Sequence, residues 1–131
     1  MRVRRAVIDA MITHARADAP LECCGLLLGR EGLIDECRPA ANLRSSPVAY
    51  QLDPRDHFAA IRAARQTGRA VIGAYHSHPG SPAVPSRTDV AEAYDPQLLY
   101  VILSLSGTSP DVRAYSIHGG NFSEVFLVPE P

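Results

Sequence analysis

Two stretches of nearly unbroken apolarity, AVIGAYHSH at 70–78 and LLYVILSLS at 98–106, limit the folds open to this chain more than any other feature. A strand with one wet face alternates apolar and polar residues, whereas a strand covered on both faces is free of that alternation. Both runs therefore predict strands in the interior of a sheet. The segments around them supply what should cover it. Residues 5–17 place Val7, Ala10, Met11 and His14 at helical spacing, with Arg4, Arg5, Asp9 and Arg16 left to solvent and Pro20 ending the helix. Residues 50–69 predict a second helix, with Asp53 as N-cap, Pro54 in the first helical position and Gly68 after the last turn.

The remaining segments read as strands and loops. Residues 22–32 and 33–43 predict two strands joined by a turn at 30–32, and Gly25 within the first marks a bulge or a close backbone approach. Residues 79–85, PGSPAVP, are too rich in proline and glycine to be regular, and SRTDVAEAY restarts a short helix capped by Ser86. Residues 111–128 predict two more strands around a turn at Gly119, Gly120 and Asn121. The predicted class is α/β (α+β), a single mixed β-sheet flanked by helices.

With 131 residues and 46% hydrophobic content, one domain spanning 1–131 is expected. Thirteen basic against fourteen acidic residues give no basic field of the kind that binds nucleic acid non-specifically. Arg, Asp or Glu interrupt every hydrophobic run, so no membrane span is predicted. The N-terminal arginines resemble the start of an export signal, but Asp9 and His14 interrupt its apolar stretch; a cytoplasmic protein is expected. Cys23, Cys24 and Cys37 are odd in number and point to reduced thiols. On a strand, Cys23 and Cys24 alternate faces, so at most one is expected inward.

Chemistry concentrates in HSHPGSPAVPSRTD, residues 76–89. His76 and His78 lie two apart where a strand ends, so both imidazoles can aim at one point. Catalytic zinc takes three ligands from His, Asp, Glu or Cys and keeps a fourth position open. Asp89, in the first turn of the following helix, could fold back as the third. It also has a plainer reading, because Ser86-Arg87-Thr88-Asp89 has the form of a capping box with an acidic residue favoured by the helix dipole.

The same stretch resembles the signature of the JAMM (MPN+) metalloproteases: His-Ser/Thr-His-Pro, six further residues, then Ser-Xaa-Xaa-Asp. That family also carries a glutamate at the start of the strand after its first helix, and PLECCGLLLG supplies Glu22. The resemblance runs over essentially the whole chain. It implies a cytidine-deaminase-like JAMM/MPN core and one Zn2+ per chain on His76, His78 and Asp89. It implies Glu22 as the base that holds and deprotonates a water, and Ser86 as the donor to the oxyanion. His14, His57 and His118 match no motif position and are expected on the surface or on helix faces.

The activity so implied is a zinc-dependent peptidase or isopeptidase that cuts after the C-terminal Gly-Gly of a ubiquitin-like or sulfur-carrier protein. Two other readings stand beside it. One is a non-catalytic MPN scaffold, against which the presence of all five motif positions argues. The other is a structural zinc, which needs a fourth protein ligand that only Cys23 or Cys24 could supply.

Overall fold

In the computed structural model, which describes residues 1–131, both apolar runs lie inside one eight-stranded sheet. The elements in chain order are β1 (Arg2–Arg4), α1 (Arg5–Asp18), β2 (Cys24–Arg30), β3 (Leu33–Ala40), α2 (Pro54–Gln66), β4 (Ala70–His78), α3 (Arg87–Ala91), β5 (Leu99–Ser104), β6 (Asp111–His118), β7 (Asn121–Val125) and β8 (Val128–Glu130). The strand order is β7-β6-β5-β4-β2-β3-β1-β8. β4 pairs with β5 in parallel and with β2 antiparallel, and β1 runs parallel to both β3 and β8. The sheet is thus single, mixed and flanked by helices, as the sequence predicts.

Continuous apolarity in the middle strands follows from cover on both faces. On one side α1 presses Val7, Met11 and Ala15 onto Cys23, Leu27, Tyr75, Val101 and Leu103. On the other, Ala60 and Ala64 of α2 let that helix approach Leu26, Leu28 and Ala74 closely. Further along the same face, Ala83 caps Tyr100, Ile102, Tyr115 and Ile117. Leu26, Leu27 and Leu28 are buried to 1% or less, and each such side chain contributes about 1.5–3 kcal/mol relative to an exposed one.

The same cover overturns the expectation for the cysteine pair. Cys23 and Cys24 do point to opposite faces, yet both are fully buried, because neither face is open to water. Cys23, Cys24 and Cys37 are all unpaired. The buried stripe of α1 also differs from the expected one: Ala15 takes the place of Ala10, which is exposed, and His14 is half-buried.

Turn and cap chemistry fixes the connections. Glu31 and Gly32 have φ of 54° and 77°, and Gly119 and Gly120 have 60° and 78°, the left-handed pairs that close two-residue hairpins. The Asp53 carboxylate accepts from the Arg55 N–H at 2.9 Å, capping α2 above Pro54. Gly25 is a close approach rather than a bulge: the Tyr75 ring occupies the space a Cβ would take. From there the Tyr75 hydroxyl reaches His14 Nδ1 on α1 at 2.8 Å. The register shifts lie further along β2, between Leu27 and Gly29.

Two strands were not foreseen. β1 and β8 are three residues each, too short to show a period; β1 is held between β3 and β8, and β8 forms the sheet's edge. No helix is long and apolar enough to cross a membrane.

Candidate metal centre

β4 runs straight to the point of interest. His76 and His78, on one face of its last turn of pleat, are 2% and 4% exposed. Ser86 caps α3, and its capping box is complete: the Ser86 hydroxyl accepts from the Asp89 N–H at 3.0 Å, while Asp89 Oδ2 accepts from the Ser86 N–H at 2.9 Å. The same Oδ2 lies 3.2 Å from His76 Nε2 and 3.1 Å from His78 Nε2. The capping box is thus present, and it also aims the Asp89 carboxylate at the two histidines.

The two Nε2 atoms are themselves 3.2 Å apart. Ligands held at about 2.0 Å in a tetrahedron stand roughly 3.3 Å from one another, so this triangle has the dimensions of one face of a zinc site. His78 Nδ1 faces the Pro82 carbonyl at 2.8 Å. A carbonyl can only accept, so Nδ1 carries the proton and a neutral His78 turns a bare Nε2 lone pair toward the centre. His76, His78 and Asp89 are the residues whose donor atoms converge closely enough for a cation, and no cysteine joins them. Cys24 is the register partner of His76 and shares its face, but its thiol is turned to the carbonyls of Ala40 and Ala41, and burial pushes it up to about 12.

Electrostatics agree with that convergence. Burial works against a charge on His76 and sets its pKa below the usual value. Burial also opposes charge on His78, but its bonds to Asp89 and the Pro82 carbonyl outweigh that and leave it raised. Asp89 is buried too, yet the two imidazoles hold its carboxyl well below the usual range. Two imidazoles and a carboxylate that converge on one point are a donor set able to hold a divalent ion.

Glu22 precedes β2, outside any regular element, and is 4% exposed. Its Oε1 is buried without a hydrogen-bond partner. Burial pushes this carboxyl up to about 7, with His78 pulling it back and Asp89 adding to the rise. Glu22, Val48, His78, Ser81 and Ser86 line one cleft of about 520 Å3. The sequence-predicted residues Glu22, His76, His78, Ser86 and Asp89 are thus brought to one place, with Ser86 and Glu22 facing the same space.

Two residues around the centre escape sequence reasoning. The Tyr50 ring stacks on His76, centroids 4.4 Å apart and 22° from parallel. Asn42 uses its whole amide: Nδ2 donates to the carbonyls of Glu22 and Ala49 at 3.0 and 3.1 Å, and Oδ1 accepts from the N–H groups of Arg44 and Gln51 at 3.0 and 2.9 Å. The Glu22 N–H donates to the Ser46 carbonyl at 2.8 Å. Glu22 is therefore held on both sides by the 41–53 segment. An Asn after a strand reads as a turn residue, and a Tyr before a helix cap carries no signal of its own. Of the other histidines, His14 lies half-buried on a helix face, while His118 is exposed.

Comparison with known proteins gives consistent matches. Residues 4–118 match the family model described as prokaryotic homologs of the JAB domain. The CysO-cysteine peptidase of Mycobacterium tuberculosis is 37% identical over 125 residues, covering 93% of this chain and 86% of that protein. The desampylase of Haloferax volcanii is 35% identical over 129 residues, covering 93% and 91%. A solved structure described as a JAMM metalloprotease-like zinc site in the proteasome and signalosome superposes with a TM-score of 0.66 over 100% of this chain and 98% of its own. At 20% identity, that is a likeness of fold.

Proposed function

Because this chain belongs to the family of prokaryotic JAB-domain proteins, we propose that it is a zinc-dependent peptidase or isopeptidase cutting after the C-terminal Gly-Gly of a ubiquitin-like or sulfur-carrier protein. The observation that carries the reading is the convergence of His76, His78 and Asp89 beside the unpartnered Glu22 Oε1. We take residues 1–131 as one catalytic domain, acting in the cytoplasm with one zinc per chain. A non-catalytic scaffold would have no use for three converging ligand atoms and a buried acid without a partner.

Zinc held by His76, His78 and Asp89 would supply a Lewis acid that polarises the scissile carbonyl and makes a water acidic near neutral pH. Glu22 would accept the proton of the attacking water and deliver it to the leaving amine, a role that its buried, unpartnered Oε1 supports. The Ser86 hydroxyl accepts from the Asp89 N–H, which leaves its own proton free for the carbonyl oxygen as negative charge develops there. Ser86→Ala should slow turnover about a hundredfold if that donation is made. The cap it also removes contributes only about 1 kcal/mol to stability, so a variant that is folded, zinc-replete and fully active would take Ser86 out of the reaction.

The substrate tail is expected to lie extended in the cleft beside Val48 and Ser81, paired through its main chain, with glycines admitted because they lack a Cβ. The experiment compares a sulfur-carrier protein extended beyond Gly-Gly with the same protein carrying Val-Val, read by mass spectrometry with zinc present. Cleavage only of the glycine form, after the second glycine, is the expected result. Equal cleavage of both would remove the glycine requirement, and cleavage of neither would favour the scaffold.

A further inference from the structure

The segment that joins His78 to Ser86 is held in an unusual way. It contains Pro79, Pro82, Pro85 and Gly80, so it has few N–H groups of its own and enters no ladder. Its one internal backbone bond runs from the Val84 N–H to the Pro82 carbonyl at 2.8 Å. Such a segment should wander, yet it must deliver Asp89 Oδ2 to within 3.1 Å of His78 Nε2.

What fixes it are three consecutive carbonyls, each taken by a side chain from a different strand. The Ser81 carbonyl accepts from Ser104 Oγ of β5 at 2.6 Å. The Pro82 carbonyl accepts from His78 Nδ1 of β4 at 2.8 Å. The Ala83 carbonyl accepts from the Tyr115 hydroxyl of β6. These three strands are adjacent, with Ser104 in register beside His78. Ser104 and Tyr115 are 3% and 4% exposed, and Ala83 is 1% exposed within its own apolar cluster. Ser104 Oγ lies 2.8 Å from Ser106 Oγ and accepts from the Ser106 N–H at 3.2 Å. With those partners satisfying its lone pairs, its proton is directed to Ser81.

We propose that Ser104 and Tyr115 are positioning residues for the metal centre: together with His78 they clamp the carbonyls of Ser81, Pro82 and Ala83, and so set where the loop presents Ser86 and Asp89. The proposal rests on the reading of His76, His78 and Asp89 as zinc ligands. His78 has a double part in it, since one ring nitrogen faces the metal position while the other holds the loop that brings the third ligand. Outer partners of this kind tune metal sites by about 10–100-fold in affinity. Ser104 and Tyr115 differ from ordinary outer partners in acting on the backbone between ligands instead of on a ligand itself.

The test uses Ser104→Ala, Tyr115→Phe, the double variant and Ser104→Thr, which keeps the hydroxyl. Val7→Ala, on the opposite face of the sheet, serves as a control for lost stability. Zinc affinity is measured by competition with a chromophoric chelator, and amide hydrogen exchange at Val84, Ser86 and Asp89 is followed in the metal-free protein. Each single variant should bind zinc about tenfold more weakly and the double about a hundredfold, with those three amides exchanging faster while β2 and β4 do not change. Ser104→Thr should restore most of the affinity, and Val7→Ala should not alter it. Wild-type affinity and exchange in the double variant would overturn the clamp, as would an equal acceleration of exchange throughout the sheet. If the unaltered protein bound no zinc, the ligand assignment would fall, and local exchange at Val84, Ser86 and Asp89 would still decide for or against the clamp.

Discussion

His78→Ala should leave a protein that cannot retain zinc against a chelator and has no measurable turnover. Losing even an outer partner of a metal ligand costs about 10–100-fold in affinity, so losing a ligand itself should weaken zinc binding by roughly a hundredfold or more. The loss is compounded here, because the same ring holds the Pro82 carbonyl through Nδ1. His76 has no such second bond, so His76→Ala should weaken zinc while leaving the 79–85 loop in place. Elemental analysis after dialysis reads the result directly. A His78→Ala protein with a full complement of zinc would remove His78 from the ligand set.

Glu22→Gln separates chemistry from metal binding. The amide can still hold a water by hydrogen bonding but cannot accept its proton, so turnover should fall by about 10²–10⁴-fold with zinc content unchanged. A variant that turned over normally would exclude Glu22 as the base. Its stability carries a second signature. Burial raises this carboxyl from an ordinary 4.5 to about 7, so the folded metal-free protein holds the proton more tightly than the unfolded chain does. Stability should therefore decline as pH rises from roughly 4.5 through 7, where the unfolded state gives up the proton first. Glu22→Gln should lack that part of the decline in a pH series of denaturant melts.

The legible parts of this molecule are those in which local sequence determines local geometry. The helices α1 and α2 announce themselves by spacing, by Asp53 and Pro54, and by Gly68; the interior strands do so by continuous apolarity. The triangle of His76, His78 and Asp89 is legible for the same reason, since strand alternation aims two vertices and a capping box the third. Glu22 is different. Nothing near it in the chain marks it as more than an exposed charge, and only a family resemblance singles it out. Its backbone is held by Asn42 and the Ser46 carbonyl, from a segment some twenty residues further along the chain. Tyr50, Ser104 and Tyr115 are illegible in the same sense, because each acts on a segment distant in sequence. The cysteine pair shows how a correct local rule can mislead: alternation holds, but a sheet covered twice has no outward side.

The segment around Asn42 also bears on how such an enzyme could change what it recognises. Asn42 and Leu52 form a bridge, and the Leu43 N–H donates to the Gln51 carbonyl at 2.8 Å, so everything between them leaves and returns through one closed neck. Lengthening a loop whose ends are already joined costs only about 0.6 kcal/mol for each doubling. Residues inserted near Val48 would extend the wall of the cleft without disturbing the strand that carries the histidines. Recognition can thus vary around Val48 while Asn42, Ser46 and Tyr50 of the same segment keep their contacts to Glu22 and His76.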